Sequence, residues 1–146
     1  MRRAVLAAVA LVALAFFATA FFATACDPKP ATTTAGGAVF DISPEIVESR
    51  KDTLVDIGLV REGEIVQYNA AIRNAGTDPL VITSVETSCG CTEVEYERAP
   101  IAPGATGGFS FRFDSRGMWG AQHKLIEIHT SAGRRPYRVV MQAEVE

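Results

Sequence analysis

The sequence predicts an all-β protein, an immunoglobulin-like β-sandwich of about seven antiparallel strands. Three observations lead to this fold class. Apolar side chains recur at every second position in several short segments of the 146-residue chain, which is the period of a strand with one buried face. Residues typical of turns separate these segments at short intervals. No apolar stripe of helical period is long enough to connect parallel strands, which excludes the nucleotide-binding α/β folds.

The first two strands precede the strongest turn signal of the chain. A short apolar segment at residues 54–57 forms the first. In the second, the apolar side chains of residues 66–72 alternate with mostly polar neighbours, so one face of the strand points inward. Residues 74–79 end this strand, because Gly76 accommodates a positive φ angle and Pro79 fixes the restart of the chain.

The next two strands flank a pair of cysteines. Residues 80–85 form a nearly continuous apolar run, and residues 92–96 alternate threonine, valine and tyrosine with glutamates. Prolines and a glycine at residues 100–104 then set a sharp corner. Both segments have the length and boundaries of strands.

Three further strands complete the predicted sandwich. Phe109, Phe111 and Phe113 alternate with polar residues and give the clearest inward stripe of the chain. A short alternation at residues 126–129 and a longer one at residues 137–145 supply the last two strands. Seven short strands with turn signals between them are the pattern of an immunoglobulin-like sandwich.

The chain before the strands reads as an export signal. Arg2 and Arg3 are followed by an uncharged run of small and apolar residues that reaches Cys26. We interpret residues 1–25 as a signal peptide. An uncleaved membrane anchor is the alternative, because about 20 apolar residues can span a bilayer.

The end of this leader resembles the lipobox of bacterial lipoproteins, in which small residues precede a lipidated cysteine. Cys26 would then be the lipidation site, and Cys89 and Cys91 remain as a pair. Ala23 stands where the lipobox usually has leucine, so ordinary cleavage after Ala20 or Ala25 is the alternative.

Residues 26–38 are predicted to be the lipid-attachment cysteine and a flexible linker, and residues 39–146 the sandwich domain. The linker is rich in proline, glycine and threonine and has no large apolar side chain. Residues 44–48 could form one helical turn or a short extended piece, and the sequence leaves this open.

The composition argues against two broad classes of function. The net charge is −3 and no basic block is present, so we expect no binding of nucleic acid. A catalytic base is usually histidine, and His123 and His129 lie in one predicted strand, where we interpret them as surface residues. We therefore expect no enzymatic activity, no catalytic residues and no cofactor.

Cys89 and Cys91 are the one pair of side chains whose chemistry suggests a functional site, and three roles are open. Two strand positions apart, their Cα atoms would be about 6.6 Å apart, close to the upper limit of about 6.8 Å for a disulfide. Gly90 permits the kink that a bridge requires. The pair could be a local staple, a redox-labile disulfide, or a soft-metal site for copper. Further ligands of such a site would come from the following residues: Met118, His123 and His129.

Trp119 is a candidate for binding a partner. It lies in a predicted loop next to Met118, and an aromatic side chain in a polar loop can anchor a partner surface. The alternative is that Trp119 covers the open end of the sandwich, as expected of a residue type that is usually buried.

Several motifs together resemble one family. The order and spacing match over residues 53–146. The motifs are Asp56–Glu64 (DIGLVREGE), Ile72–Gly76 with Pro79–Ile82, Ser88–Thr92 (SCGCT), Pro100–Gly104 and Phe113–Gly117. They resemble the bacterial domain-of-unknown-function family fifteen seventy-three. The resemblance implies an exported or lipid-anchored single domain, with an immunoglobulin-like sandwich similar to the ASH, MSP and hydin domains. It also implies an interaction module without established activity.

We therefore expect a non-enzymatic, membrane-anchored interaction module of the bacterial cell envelope. Membrane lipid attached through Cys26 would hold it on the periplasmic or outer face, where it contacts another envelope protein. The alternative is a protein for thiol redox chemistry or copper handling that uses Cys89 and Cys91.

Overall fold

The computed structural model describes residues 32–146. Within this range the chain forms eight strands and one short helix. The elements are β1 (Thr32–Ile42), α1 (Pro44–Glu48), β2 (Thr53–Val60), β3 (Ile65–Asn74), β4 (Ile82–Thr87), β5 (Thr92–Tyr96), β6 (Thr106–Asp114), β7 (Gly120–Thr130) and β8 (Tyr137–Val145). The predicted signal peptide, Cys26 and the first residues of the predicted linker lie outside this range.

The strands form two four-stranded sheets that pack face to face. Sheet A has the order β1-β3-β6-β5, and sheet B has the order β2-β8-β7-β4. The predicted β-sandwich is confirmed, with eight described strands instead of seven. The expectation of purely antiparallel strands is wrong, because β1 runs parallel to β3 and β2 runs parallel to β8. The chain crosses between the sheets after β1 and again after β2, so β3 returns in the direction of β1.

Strand β1 corrects the prediction of a linker. Residues 32–38 belong to this strand, and all of them except Gly37, which lies at a bulge, pair with β3, so the linker prediction is wrong for this segment. Ala35 and Ala38 pack against the core although they are small. Backbone hydrogen bonds to β3 hold this part of β1 in the sheet, and they do not require large apolar side chains. The sequence therefore shows no alternation of apolar residues here.

Helix α1 resolves the ambiguous segment between β1 and β2. Ser43 caps it, since its hydroxyl accepts a hydrogen bond from the Ile46 amide at 3.3 Å, and Pro44 occupies the first turn, where no amide donor is needed. Val47 is buried against the sandwich. Within residues 32–146, no helix has the length and apolar character needed to cross a bilayer.

The core lies between the two sheets and is built by the alternation that the sequence predicts. Phe109, Phe111 and Phe113 of β6 are buried, and the neighbouring residues of β6 face outward. Sheet B contributes alternate positions of β7 and β8, which are also buried. These residues are Ile126, Ile128, Tyr137, Val139, Met141, Ala143 and Val145. These alternating buried side chains determine which face of each sheet is exposed to solvent.

Candidate functional site

One end of the sandwich brings together most of the residues that the sequence singles out. We call it the tryptophan end and define it by the turn at residues 61–64, the connection at residues 88–91, the loop at residues 115–119, and Glu146. The start of β1 also lies here, because Thr32 pairs with Ile65 at the start of β3.

Buried Ser115 joins the loop to the turn. Its side chain is within 2.8 Å of the carbonyl oxygens of Arg61 and Glu64, to either of which the hydroxyl can donate. Its amide donates to the Glu64 carbonyl at 3.1 Å. The Gly117 amide also reaches the turn, where it donates to Glu62 Oε1 at 2.7 Å. Sequence reasoning missed Ser115 because its partners are more than 50 residues away.

Carboxylates at the tryptophan end are held by local donors. Arg116 Nη2 lies 2.5 Å from Asp114 Oδ2, and this hydrogen bond lowers the pKa of Asp114 below its ordinary value. The Thr33 hydroxyl donates to Glu64, which is the main reason that the pKa of Glu64 is also lowered. Both carboxylates are thereby kept ionised, and the second contact ties β1 to the turn.

Trp119 projects from this end into solvent. Its exposed fraction is 69%, so the expectation that it covers the open end of the sandwich is wrong. Met118 packs against the core instead. Gly117 and Gly120 both have φ of +71°, a conformation that favours glycine. These two bends turn Met118 inward and leave the indole outside.

Cys89 and Cys91 are joined as a disulfide in the structure, with their Cα atoms 5.2 Å apart. The chain is therefore more bent at Gly90 than an extended strand. The Cys91 carbonyl accepts from the Asp114 amide at 3.0 Å, and the hydroxyl of buried Thr92 lies 3.6 Å from Cys89 Sγ. The bridge thus closes the corner where the chain passes from β4 in sheet B to β5 in sheet A.

The structure does not assemble the metal ligands considered from the sequence. His123 and His129 lie on the outer face of sheet B, six positions apart on one strand, which is a separation of about 20 Å. Nε2 of His123 lies 3.2 Å from Gln142 Oε1, and Nε2 of His129 lies 3.7 Å from Glu86 Oε1. In the part of the chain that the structure describes, no three His, Cys, Asp or Glu side chains converge as metal ligands would.

The outer face of sheet B carries apolar side chains. Leu54 of β2 pairs with Val140 of β8, which pairs with Leu125 of β7, so the three form a row across the sheet. Leu59 lies further along β2, beyond a bulge. Asp56, which pairs with Gln142, lies between Leu54 and Leu59 on the same face. We call Leu54, Leu59, Leu125 and Val140 the sheet B patch. Leu54 and Leu59 are 62% and 63% exposed.

The outer face of sheet A is more polar. Val39 of β1 is an exposed apolar side chain on this face, but most of the exposed and half-buried positions are polar or charged. They include Gln67, Asn69, Glu93, Glu95, Ser110 and Arg112. An ion pair of 3.2 Å joins Arg112 Nη2 to Glu93 Oε2 across two strands. The two faces of the sandwich therefore differ in what they can bind.

Comparisons with known proteins agree with this architecture. A family model described as a protein of unknown function, DUF1573, matches residues 48–145. None of the curated proteins matches the sequence.

A solved structure of a protein of unknown function from Porphyromonas gingivalis W83 is similar to this chain. It has 26% identity and a TM-score of 0.57, and the match covers 64% of this chain and 44% of that one. The VesB protease of Vibrio cholerae has 14% identity and a TM-score of 0.53, over 70% of this chain and 33% of that one. The second likeness concerns the fold alone, and in both cases this chain spans less than half of the other.

Proposed function

This chain belongs to the DUF1573 family, and from that premise we propose that it is a non-enzymatic interaction module of the bacterial cell envelope. Lipid on Cys26 would hold it on the periplasmic or outer face of a membrane. There the domain would present the sheet B patch to another envelope protein.

The single observation that carries the proposal is the exposure of two leucines on an edge strand. Strand β2 is hydrogen-bonded to β8 on one side only, and Leu54 and Leu59 stand on its outer face with more than half of their surface in water. An apolar patch on the outside of a soluble domain commonly marks an interaction site. An edge strand also offers backbone donors and acceptors to a partner.

The contrast between the two sheets supports this choice of surface. A partner that covers the sheet B patch removes leucine and valine side chains from water, which is favourable at about 25 cal/mol per Å². Covering the outer face of sheet A would instead remove water from glutamates and arginines, which is costly unless each charge finds a partner.

The test of the interaction compares Leu54→Asp with Val39→Asp in protein purified from membranes of the native host. Val39 is a matched control, because it is 52% exposed and lies on β1, the edge strand of sheet A. Burial of a leucine side chain is worth about 1.5–3 kcal/mol, so we expect Leu54→Asp to weaken partner capture by about tenfold or more. Val39→Asp should capture the partner as wild type does.

Two outcomes would overturn the proposal. One is equal capture by both variants and wild type, which would separate the patch from binding. The other is catalytic turnover of a small substrate by the purified domain. Intact-mass spectrometry tests the anchor separately, because acylation adds mass at Cys26.

A second candidate function is thiol exchange or copper handling by Cys89 and Cys91. Both residues are partly exposed at a corner that other molecules can reach, which favours exchange with an external thiol. Redox titration of the pair tests exchange, and a potential far below that of the compartment would exclude it. Titration of Cu(I) into the reduced protein and into Cys89→Ser/Cys91→Ser tests metal binding, and equally weak binding by both would exclude it.

A further inference from the structure

The chain enters the sandwich at the end that carries Trp119. Thr32, at the start of β1, pairs with Ile65, and Ile65 pairs with Asp114 at the end of β6. Trp119 follows in the next loop. Cys26 precedes Thr32 by six residues, which span at most about 22 Å when fully extended. A lipid on Cys26 would therefore hold the tryptophan end close to the membrane surface.

Trp119 has the chemistry of a membrane-interface residue. The indole is apolar over most of its surface and has one N–H donor, and tryptophan is enriched where hydrocarbon meets headgroups. At 69% exposure it is the most exposed large apolar side chain of the described residues. The backbone bends at Gly117 and Gly120 keep it outside the core, although tryptophan side chains are on average largely buried.

The charges around Trp119 do not form a basic patch. The tryptophan end has Arg61 and Arg116 against four carboxylates, which are Glu62, Glu64, Asp114 and Glu146. The guanidinium of Arg116 is already paired with Asp114. This end therefore has no excess positive charge for anionic lipids to attract, and contact with a membrane would rest on the indole.

We propose that the indole of Trp119 inserts at the boundary between headgroups and acyl chains of the membrane that anchors the protein. This inference rests on the proposed lipid anchor. One indole is a weak ligand in solution, but the short segment from Cys26 keeps it at a high effective concentration near the bilayer. The sandwich then stands with its tryptophan end on the membrane, and the sheet B patch faces sideways toward neighbouring proteins.

The test uses the fluorescence of the full acylated chain in phosphatidylcholine vesicles. Trp119 is the only tryptophan of the sequence, so all indole emission reports this one side chain. On reconstitution we expect a shift of the emission to shorter wavelength, loss of quenching by iodide in the water, and quenching by bromine-labelled lipid. Because the contact is apolar, high salt should leave all three signals unchanged.

A matched control places the reporter at the opposite end. In Trp119→Phe/Thr77→Trp the indole stands at an exposed position of the turn between β3 and β4. Its emission should be the same with and without vesicles, and iodide should quench it fully. If this control shifts as wild type does, the domain lies on the membrane without orientation and the inference is wrong.

Failure of the anchor and failure of the contact can be told apart. If mass spectrometry finds no lipid on Cys26, the same residue can be coupled to a maleimide lipid, since Cys89 and Cys91 are bridged. In protein anchored by either route, an unshifted Trp119 that iodide quenches fully would overturn the inference. An emission shift that occurs without vesicles would also overturn it, because the indole would then be covered by protein.

Discussion

Gly36 shows at the scale of one residue how β1 is accommodated next to β3. Its φ is +134°, and a Cβ atom at this position would lie 2.1 Å from the carbonyl oxygen of Asn69. The adjacent Gly37 has φ of +121° but nothing within 4 Å of its own Cβ position. Both glycines tolerate a backbone that other residues rarely adopt, and only Gly36 also needs the absence of a side chain.

We expect Gly36→Ala to destabilise the docking of β1 by about 2 kcal/mol or more, from backbone strain and the contact with Asn69 together. Gly37→Ala bears a similar backbone strain without the contact and should cost less. Urea denaturation and limited proteolysis within β1 measure the difference. Equal effects of the two substitutions would contradict this account of the β1–β3 contact.

Asn74 is a buried amide whose hydrogen-bonding groups are satisfied. Its Nδ2 donates to the carbonyls of Asp78 and Ile101, each at 2.8 Å, and its Oδ1 accepts from the Gly76 amide at 2.9 Å. The residue thereby holds the turn at 74–79 against the chain that leads into β6.

The substitution Asn74→Asp keeps the acceptor but removes both donors and introduces a charge. The Asp78 carbonyl loses the Asn74 donor, the Ile101 carbonyl keeps only the Leu80 amide, and a carboxylate is buried without a positive partner, so we expect a loss of about 3 kcal/mol in the free energy of unfolding. The same substitution at exposed Asn69 is the control and should be nearly neutral. A stable Asn74→Asp variant in urea denaturation would show that the amide does not hold this turn.

At the scale of single residues, the sequence predicts which positions form a turn or a candidate site better than it predicts which residues they contact. Residues 74–79 are recognisable as a turn, but the bond from Asn74 to Ile101 depends on two distant segments meeting. Trp119 is recognisable as a candidate. That it stays in solvent, and Met118 packs inward, follows from two glycine bends that no alternation of apolar residues reveals.

At the scale of elements, one ion pair joins β1 to β3. Arg73 is bidentate to Asp41, with Nε–Oδ1 of 2.6 Å and Nη2–Oδ2 of 2.7 Å. The hydrogen bond to Arg73 is the largest cause of a pKa of Asp41 below its ordinary value. A lowered folded-state pKa stabilises the fold above the unfolded value of about 3.9, and this contribution is lost as the pH falls through the lowered value.

The stability of the wild type should therefore fall below about pH 3.9, and part of this fall should be missing in Asp41→Asn. At neutral pH the variant should be slightly less stable than wild type, and the gap should close in acid. Urea denaturation at neutral pH and at pH about 3 tests this, with Asp78→Asn in an exposed turn as the control. A constant gap at both pH values would contradict the role of the pair.

The bridge between β4 and β5 belongs to the same scale. Cys89 and Cys91 enclose a very short loop, so chain entropy predicts that Cys89→Ser/Cys91→Ser loses only about 1–2 kcal/mol. The double variant should keep the β-sheet circular dichroism of wild type. Loss of the fold would mean that the bridge is essential for packing, beyond closing a corner.

Strands with a clear alternation of apolar and polar residues can be predicted from the sequence, and strands without it cannot. Strands β3, β6 and β8 were recognisable because each has one face in the core. Strand β1 was missed because glycines and alanines pair with β3 through the backbone. The parallel arrangement of β1 with β3 was missed for a related reason, since strand direction depends on where the chain crosses between sheets.

At the scale of the whole molecule, the sandwich presents three different surfaces. The outer face of sheet A is mostly polar or charged, the outer face of sheet B is partly apolar, and one end carries Trp119 near the point where the chain enters. The sequence predicted the sandwich and the candidate tryptophan. It did not single out Leu54 and Leu59, because an apolar residue in a strand is assigned to the core unless the register is known.

The most direct test of the interaction surface is site-specific photo-crosslinking in membranes of the native host. A crosslinking amino acid at position 54 should join the protein to one partner of defined mass, because position 54 would lie inside the interface. The same amino acid at position 39, equally on an edge strand but in sheet A, should give no such product. A product from position 39 alone, or no product from position 54, would contradict the assignment of the sheet B patch as the binding surface.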